Sequence, residues 1–173
     1  NNTYPVDFLL DNLNIQNNVI FSSYKYCKGR LLFLASSCIY PKYTKNPITE
    51  ESLLSGSLEP TNDSYAIAKI AGLKLCSALK KQYGFDAISA MPANLYGPGD
   101  NYHKENSHVV PTLIRKFQEA VDSKVSEVVC WGSGLAKREF LHVNDLARAC
   151  IYLLETWMPD VNEIQYLNIG SSE

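Results

Sequence analysis

At 173 residues the chain is long enough for one domain with its own core and too short for two ordinary ones. Apolar residues make up 46% and charged residues 20%, a balance that excludes a disordered chain. Sixteen basic residues against 18 acidic ones leave a net charge of -2, so no broad positive field is available for nucleic acid or an anionic membrane, and neither is expected as a partner.

No apolar run approaches the roughly 20 residues that span a bilayer, and no charged-then-apolar leader opens the chain, which predicts a cytoplasmic protein. The cysteines Cys27, Cys38, Cys76, Cys130 and Cys150 are odd in number and show no CxxC spacing. Neither a disulfide framework nor a metal site is therefore expected, and most of them read as small buried apolar residues.

Val6, Leu9, Leu10, Leu13 and Ile20 recur at helical spacing and predict a helix over 6–22 with one apolar stripe. The run Leu31-Leu-Phe-Leu-Ala35 suits a buried parallel strand, although a buried helix turn has the same pattern; its shortness favours the strand. Residues 41–60, rich in Pro, Ser, Thr, Gly and Glu, read as a long surface loop of the kind that is often functional. A second helix follows over 62–83, where Tyr65, Ala68, Gly72, Leu75, Cys76 and Leu79 share a face and Gly84 stands at the C-cap.

Ala87-Ile-Ser-Ala-Met91 predicts a strand stopped by Pro92, and 94–106 a polar loop. A third helix is expected over 109–121, with Pro111 tolerable only in its first turn. A strand over 127–131, a helix over 144–157 and a strand over 165–169 complete the series. Helices alternating with short apolar strands, joined by crossover-length connections, give a doubly wound α/β fold with a parallel sheet. Ligands of such folds lie beyond the carboxyl ends of the strands, so the loops after Ala35, Met91 and Trp131 are where chemistry is sought.

Tyr65 and Lys69 stand four apart on the second predicted helix and so share a face, where an ammonium favours an ionised phenol. A tyrosine so tuned exchanges a proton near neutral pH, and a serine arriving from the strand end, Ser36, hydrogen-bonds the same carbonyl oxygen and fixes it for hydride attack. YxxxK also occurs by chance in many helices. On composition alone Cys38 reads as a strand-end cysteine and His108 as a solvated histidine at a helix N-terminus. Lys116, Trp131 and Arg138 then read as a helix charge, a core aromatic and a surface charge.

Taken together, Phe33-Leu-Ala-Ser-Ser-Cys-Ile-Tyr-Pro41, Leu58-Glu-Pro-Thr-Asn-Asp-Ser-Tyr-Ala-Ile-Ala-Lys69, Pro92-Ala-Asn-Leu-Tyr-Gly-Pro98, Asn106-Ser-His108 and Trp131-Gly-Ser-Gly-Leu-Ala-Lys-Arg-Glu-Phe-Leu-His142 resemble the extended short-chain dehydrogenase/reductases that act on nucleotide sugars. Within them the resemblance is to the GDP-L-fucose synthases, and it runs over nearly the whole chain. It implies a Rossmann-like fold, a GDP-sugar substrate, NADP(H) as cofactor, and conversion of GDP-4-keto-6-deoxy-D-mannose to GDP-L-fucose by epimerisation at C3 and C5 followed by reduction at C4.

The resemblance further implies that Ser36, Cys38, Tyr65, Lys69 and His108 are catalytic, with Cys38 and His108 exchanging protons during epimerisation. Both side chains have ordinary pKa values within about two units of neutrality, as such exchange requires. Ser36 is implied to polarise the ketone, Tyr65 to protonate the C4 oxygen, and Lys69 to lower the Tyr65 pKa and hold the nicotinamide ribose. Leu34, Ala35, Ser36, Ser37, Lys69, Pro92, Ala93, Asn94, Leu95 and His108 would line the cofactor. Lys116, Trp131 and Arg138 would anchor the GDP-sugar, whose binding region would occupy about 100–145. Lys116 stands where members commonly carry Arg, so bidentate phosphate binding is not implied there, and Ala35 replaces a frequent Gly.

The long helices near 6–22 and 62–83 resemble those that form an intersubunit bundle and imply a homodimer. Missing is the GxxGxxG turn that cradles the cofactor pyrophosphate, since Gly97-Pro-Gly99 and Gly132-Ser-Gly134 have neither the spacing nor the place. With Asn1 opening the chain and Glu173 closing it just past a predicted strand, the expectation is a piece of a longer enzyme, lacking its N-terminal Gly-rich βαβ units and its C-terminal end. By itself it is expected to bind NADPH poorly.

Three readings compete. A 4,6-dehydratase places an Asp-Glu pair where Ser37-Cys38 stands, and a 4-epimerase needs no acid/base pair such as Cys38 and His108. A catalytically silent nucleotide-sugar binding module would tolerate loss of the phosphate turn but gives no reason for an intact Ser36, Tyr65 and Lys69 set.

Overall fold

The structure, a computed structural model, describes residues 3–27 and 29–171. In chain order it contains α1 (Pro5–Tyr26), β1 (Leu31–Leu34), a 3-10 turn at Ser37–Ile39, a second at Glu50–Ser52, α2 (Asp63–Tyr83) and β2 (Ala87–Pro92). These are followed by β3 (Asn94–Tyr96), α3 (Val109–Asp122), β4 (Phe140–His142), α4 (Val143–Thr156) and β5 (Tyr166–Ile169). A parallel sheet runs in the order β1-β2-β5, with Leu31 opposite Ala87 and Ser89 opposite Tyr166. A second parallel pair joins β3 to β4, Asn94 opposite Phe140.

β2 is the centre of the sheet, and its alternating side chains serve two cores, as the two-residue period of a strand dictates. Ala87 and Met91 pack with Phe33, Ile20, Ile70, Leu73 and Cys76 beneath α1 and α2. Ile88 and Ala90 pack with Leu153, Leu32 and Trp157 on the α4 side. The doubly wound arrangement predicted from the sequence is thus built by one short apolar strand that is buried on both faces.

The element ends follow from local chemistry. Pro5 opens α1, where its missing N–H costs nothing. Gly84, at φ +68, closes α2: its N–H reaches the Lys80 carbonyl at 2.9 Å and that of Phe85 reaches Leu79 at 3.4 Å, while the Phe85 ring is buried in the core. His142 caps α4 by accepting the Asn144 N–H on Nδ1 at 3.2 Å. The other end of α4 is closed from a distance by Arg30, which donates to the Leu153 and Leu154 carbonyls at 3.2 and 3.0 Å and pairs its Nε with Asp86 at 2.8 Å.

Three sequence expectations are corrected. Residues 127–131 form no strand; the segment is irregular, with Val129 and Trp131 exposed, and the pairing in this region belongs to β3 and β4 instead. An apolar run makes a strand only where a neighbouring backbone offers a ladder, and the register places Phe140 to His142 against Asn94 to Tyr96. The start of the expected 94–106 loop is accordingly β3. The cysteines are not mostly buried: Cys27, Cys38 and Cys130 are exposed, while Cys76 is buried and its thiol pushed up to about 12 by that burial. No described helix is long and apolar enough to cross a membrane.

Candidate active site

β1 delivers its last residues to the carboxyl edge of the sheet. Ala35, buried, donates its N–H to Ala90 at 2.9 Å and continues the β1–β2 ladder, after which the chain leaves at Ser36. The Ser36 hydroxyl caps the following 3-10 turn by accepting the Cys38 N–H at 3.3 Å. Ile39 and Tyr40 are buried behind that turn, and Cys38 is left exposed on it.

The first turns of α2 bring Tyr65 and Lys69 to the same place. The Phe8 ring of α1 meets the Tyr65 ring edge-on, with centroids 6.4 Å apart. Lys69 Nζ donates to the Leu34 carbonyl at 3.2 Å and lies 5.2 Å from the Phe33 ring centroid and 5.7 Å from that of Tyr65. Burial pushes the Tyr65 phenol up, the Cys38 thiol beside it acts in the same direction, and the Ser36 hydroxyl opposes both. Burial pulls the Lys69 ammonium down. Lys69 was expected to lower the Tyr65 pKa, whereas the net displacement is upward, because the phenol's loss of water outweighs its polar neighbours.

Four of the five expected catalytic residues, Ser36, Cys38, Tyr65 and Lys69, therefore converge at the end of β1. His108 is the exposed N-cap of α3, and its imidazole makes no capping hydrogen bond. Of the expected cofactor strip, Leu34 to Ser37 run from the last residue of β1 into the turn after it, and Pro92 to Leu95 run from the last residue of the neighbouring β2 into β3. Pro92 ends the β2 run; Ala93 then donates to Ile169 at 2.8 Å, and Asn94 donates to the Glu139 carbonyl through both its backbone N–H, at 3.3 Å, and its side chain, at 2.9 Å.

Lys116 and Trp131 are also brought together. Lys116 Nζ donates to the Val129 carbonyl at 3.2 Å and lies 5.3 Å from the centroid of the Trp131 ring, which is 92% exposed. An open cavity of about 390 Å³ adjoins them, lined by Lys116, Glu119, Ser123 and Val129 among others. Arg138 is exposed and donates to the Lys137 carbonyl at 3.0 Å. A cavity of about 470 Å³ lies apart from all of these, between Pro41, Tyr43 and Lys45 and the serines of 52–57. Among the described residues no group of three or more His, Cys, Asp or Glu is arranged to hold a metal.

Two contributors escape sequence reasoning. Phe8 falls outside the periodic stripe of its helix, and only the tertiary packing shows that it backs Tyr65. Glu139 supports Asn94 through a main-chain carbonyl, for which no residue type is a signal.

A cofactor of the nicotinamide class finds a matching donor set here: an ammonium with three donors, one of them on Leu34, beside a phenol and a hydroxyl at the carboxyl edge of a parallel sheet. The match covers the nicotinamide-ribose end.

The sequence pattern of the NAD dependent epimerase/dehydratase family matches residues 1–170. GDP-L-fucose synthase 1 of Arabidopsis thaliana is 57% identical over 173 residues, covering 100% of this chain and 52% of that protein. GDP-L-fucose synthase of Escherichia coli (strain K12) is 51% identical over 176 residues, covering 99% of this chain and 55% of that protein. Among solved structures, a GDP-L-fucose synthetase from Naegleria fowleri bound to NADP superposes with a TM-score of 0.85 at 30% identity, covering 98% of this chain and 54% of that one. The chain spans about half the length of the curated relatives it matches.

Proposed function

The chain belongs to the NAD dependent epimerase/dehydratase family, and from that premise we propose that the full-length protein converts GDP-4-keto-6-deoxy-D-mannose to GDP-L-fucose with NADPH. The observation that carries this reading is the convergence of Ser36, Cys38, Tyr65 and Lys69 at one strand end, in a chain whose relatives carry that enzyme's name.

The C4 ketone acidifies the hydrogens on C3 and C5, so inversion at each centre needs one group to remove a proton and another to return it to the opposite face. Cys38 and His108 take these two places, and Ser36 and Tyr65 hydrogen-bond the oxygen that carries the enolate charge. NADPH, when bound, supplies the hydride that reduces C4. Tyr65 gives its proton to the C4 oxygen as the alcohol forms and recovers one from solvent. The raised pKa of its phenol suits this donor role, because the proton is present throughout the neutral range.

Lys69 turns its remaining donors to the nicotinamide ribose, and the strips 34–37 and 92–95 line the cofactor. Lys116, Trp131 and Arg138 anchor the GDP-sugar in a region of about 100–145, the Lys116–Trp131 pair offering a cation and an indole face side by side. Residues 1–173 are then the catalytic half of a Rossmann-like domain, and this half by itself binds NADPH poorly. The protein works in the cytoplasm as a homodimer through α1 and α2, a reading favoured by the exposed Val6, Leu10, Ile15 and Val19 on α1 and Ile67 on α2.

The test is nicotinamide absorbance on mixing NADPH and GDP-4-keto-6-deoxy-D-mannose with the full-length protein, its Cys38→Ser variant and this chain. Oxidation with GDP-L-fucose as product is expected from the full-length protein, and loss of that product from the variant. A folded full-length protein that oxidises no NADPH would turn the reading toward another nucleotide sugar or a silent binding module.

A further inference from the structure

The turn that carries Cys38 is held from its far end by a residue of the last strand. Tyr40, two positions after Cys38, is 5% exposed, and its phenol donates to Asn168 Oδ1 at 2.6 Å. Asn168 is the third residue of β5. Its side-chain amide donates to the Ile48 carbonyl at 3.1 Å, and its backbone N–H donates to the Glu50 carboxylate at 2.7 Å.

One side chain thus ties the Cys38 turn and the 41–60 loop to the sheet, using its acceptor on the first and its donor on the second. Turning the amide over would set its oxygen against the Ile48 carbonyl, which can only accept, so its orientation is fixed by that partner. The hydroxyl, amide and carboxylate in this cluster belong to none of the expected site residues.

The geometry points to Asn168 as a positioning residue for Cys38, acting through the Tyr40 hydroxyl. This rests on the functional reading above, in which Cys38 moves a proton at C3 or C5. Proton transfer is sensitive to the placement of the thiol, and Cys38 sits on a three-residue turn between the Ser36 cap and the buried Ile39 and Tyr40. The groups assigned to C4 reduction are anchored separately: Tyr65 and Lys69 by α2, and Ser36 by the Ala35 rung of the β1–β2 ladder. Freeing Tyr40 therefore impairs epimerisation more than reduction. The ketone is then reduced by NADPH before inversion, with hydride to C4 and a proton to its oxygen, giving the unepimerised GDP-6-deoxyhexose and NADP+.

The experiment compares the full-length protein with its Tyr40→Phe and Asn168→Ser variants and measures the ratio of unepimerised to epimerised GDP-6-deoxyhexose at saturating NADPH. Loss of one buried hydrogen bond predicts a rise of about 3- to 10-fold in that ratio in each variant. A variant that is partly unfolded makes less of both products and leaves the ratio unchanged, so damage to stability alone does not imitate the effect. Ratios equal to wild type in both variants overturn the inference while leaving the functional reading intact. A wild-type protein that makes neither product overturns both.

Discussion

Lys69 is a cation that burial works against. Its folded pKa is lowered, so the native protein holds this proton less tightly than the unfolded chain does. The penalty is complete below the folded pKa and disappears as the pH rises from there to the unfolded value near about 10.4. Lys69→Met removes the charge and keeps most of the stem that packs beside Phe33. The Leu34 carbonyl it abandons belongs to an exposed residue and is not stranded in the core. In the full-length protein this variant is expected to melt above wild type at pH 7, with the gap closing as the pH rises toward the unfolded value, while NADPH oxidation falls by about 100-fold or more. Thermal melts across that pH range decide the matter: a gap that stays constant, or a variant less stable throughout, would show that desolvation of the ammonium is not what the residue costs.

The α1–α2 pair owes its closeness to one missing side chain. A Cβ on Gly72 would stand 2.5 Å from the tip of the Phe33 ring and 2.9 Å from the Gln16 amide, so Gly72→Ala must displace both. Helix propensity favours alanine by about 1 kcal/mol, whereas overpacking a filled interior costs about 1–3 kcal/mol. Phe33 is a buried core ring and Gln16 is buried with its amide on the Ala68 carbonyl, so neither yields freely and the clash wins. A lower denaturation midpoint at unchanged slope is the expected result, with a net loss of up to about 2 kcal/mol.

The helices around this contact were legible in the sequence because each carries several turns of apolar period and a chemical stop, as with Gly84 after Tyr83. The three central strands were legible as short apolar runs. β3 and β4 were not, because three residues hold too little pattern and their pairing is decided by where Pro92 and residues 97–139 lead the chain. The same division holds at the site: Tyr65, Lys69, Ser36 and Cys38 sit in local motifs, whereas Phe8 and Asn168 act through contacts made only once the chain has folded.

At the scale of the whole molecule, α1 is the element whose sequence pattern and environment disagree. The stripe Val6, Leu9, Leu10, Leu13 and Ile20 suggests a helix with one face on a core, yet Ile20 is buried, Leu9 and Leu13 are half-buried, and Val6 and Leu10 are exposed. Ile15 and Val19 add apolar surface on another flank, and Ile67 of α2 is exposed as well. A helix apolar beyond the face it buries offers surface that a partner can cover, and exposed apolar surface of this kind favours an interface. In the homodimer proposed above, a second copy of the chain supplies an identical surface and two helices from each copy share the burial. The double variant Leu10→Glu/Ile67→Glu places a carboxylate from each helix in that interface, where desolvation and like-charge repulsion oppose association. The full-length wild-type protein is expected to sediment as a dimer and the variant to dissociate with a Kd raised about 100-fold or more. Because Ser36, Cys38, Tyr65 and Lys69 come from one chain, the dissociated variant should keep measurable turnover. A wild-type monomer, or a variant that remains a dimer at low micromolar concentration, would move the interface away from these helices.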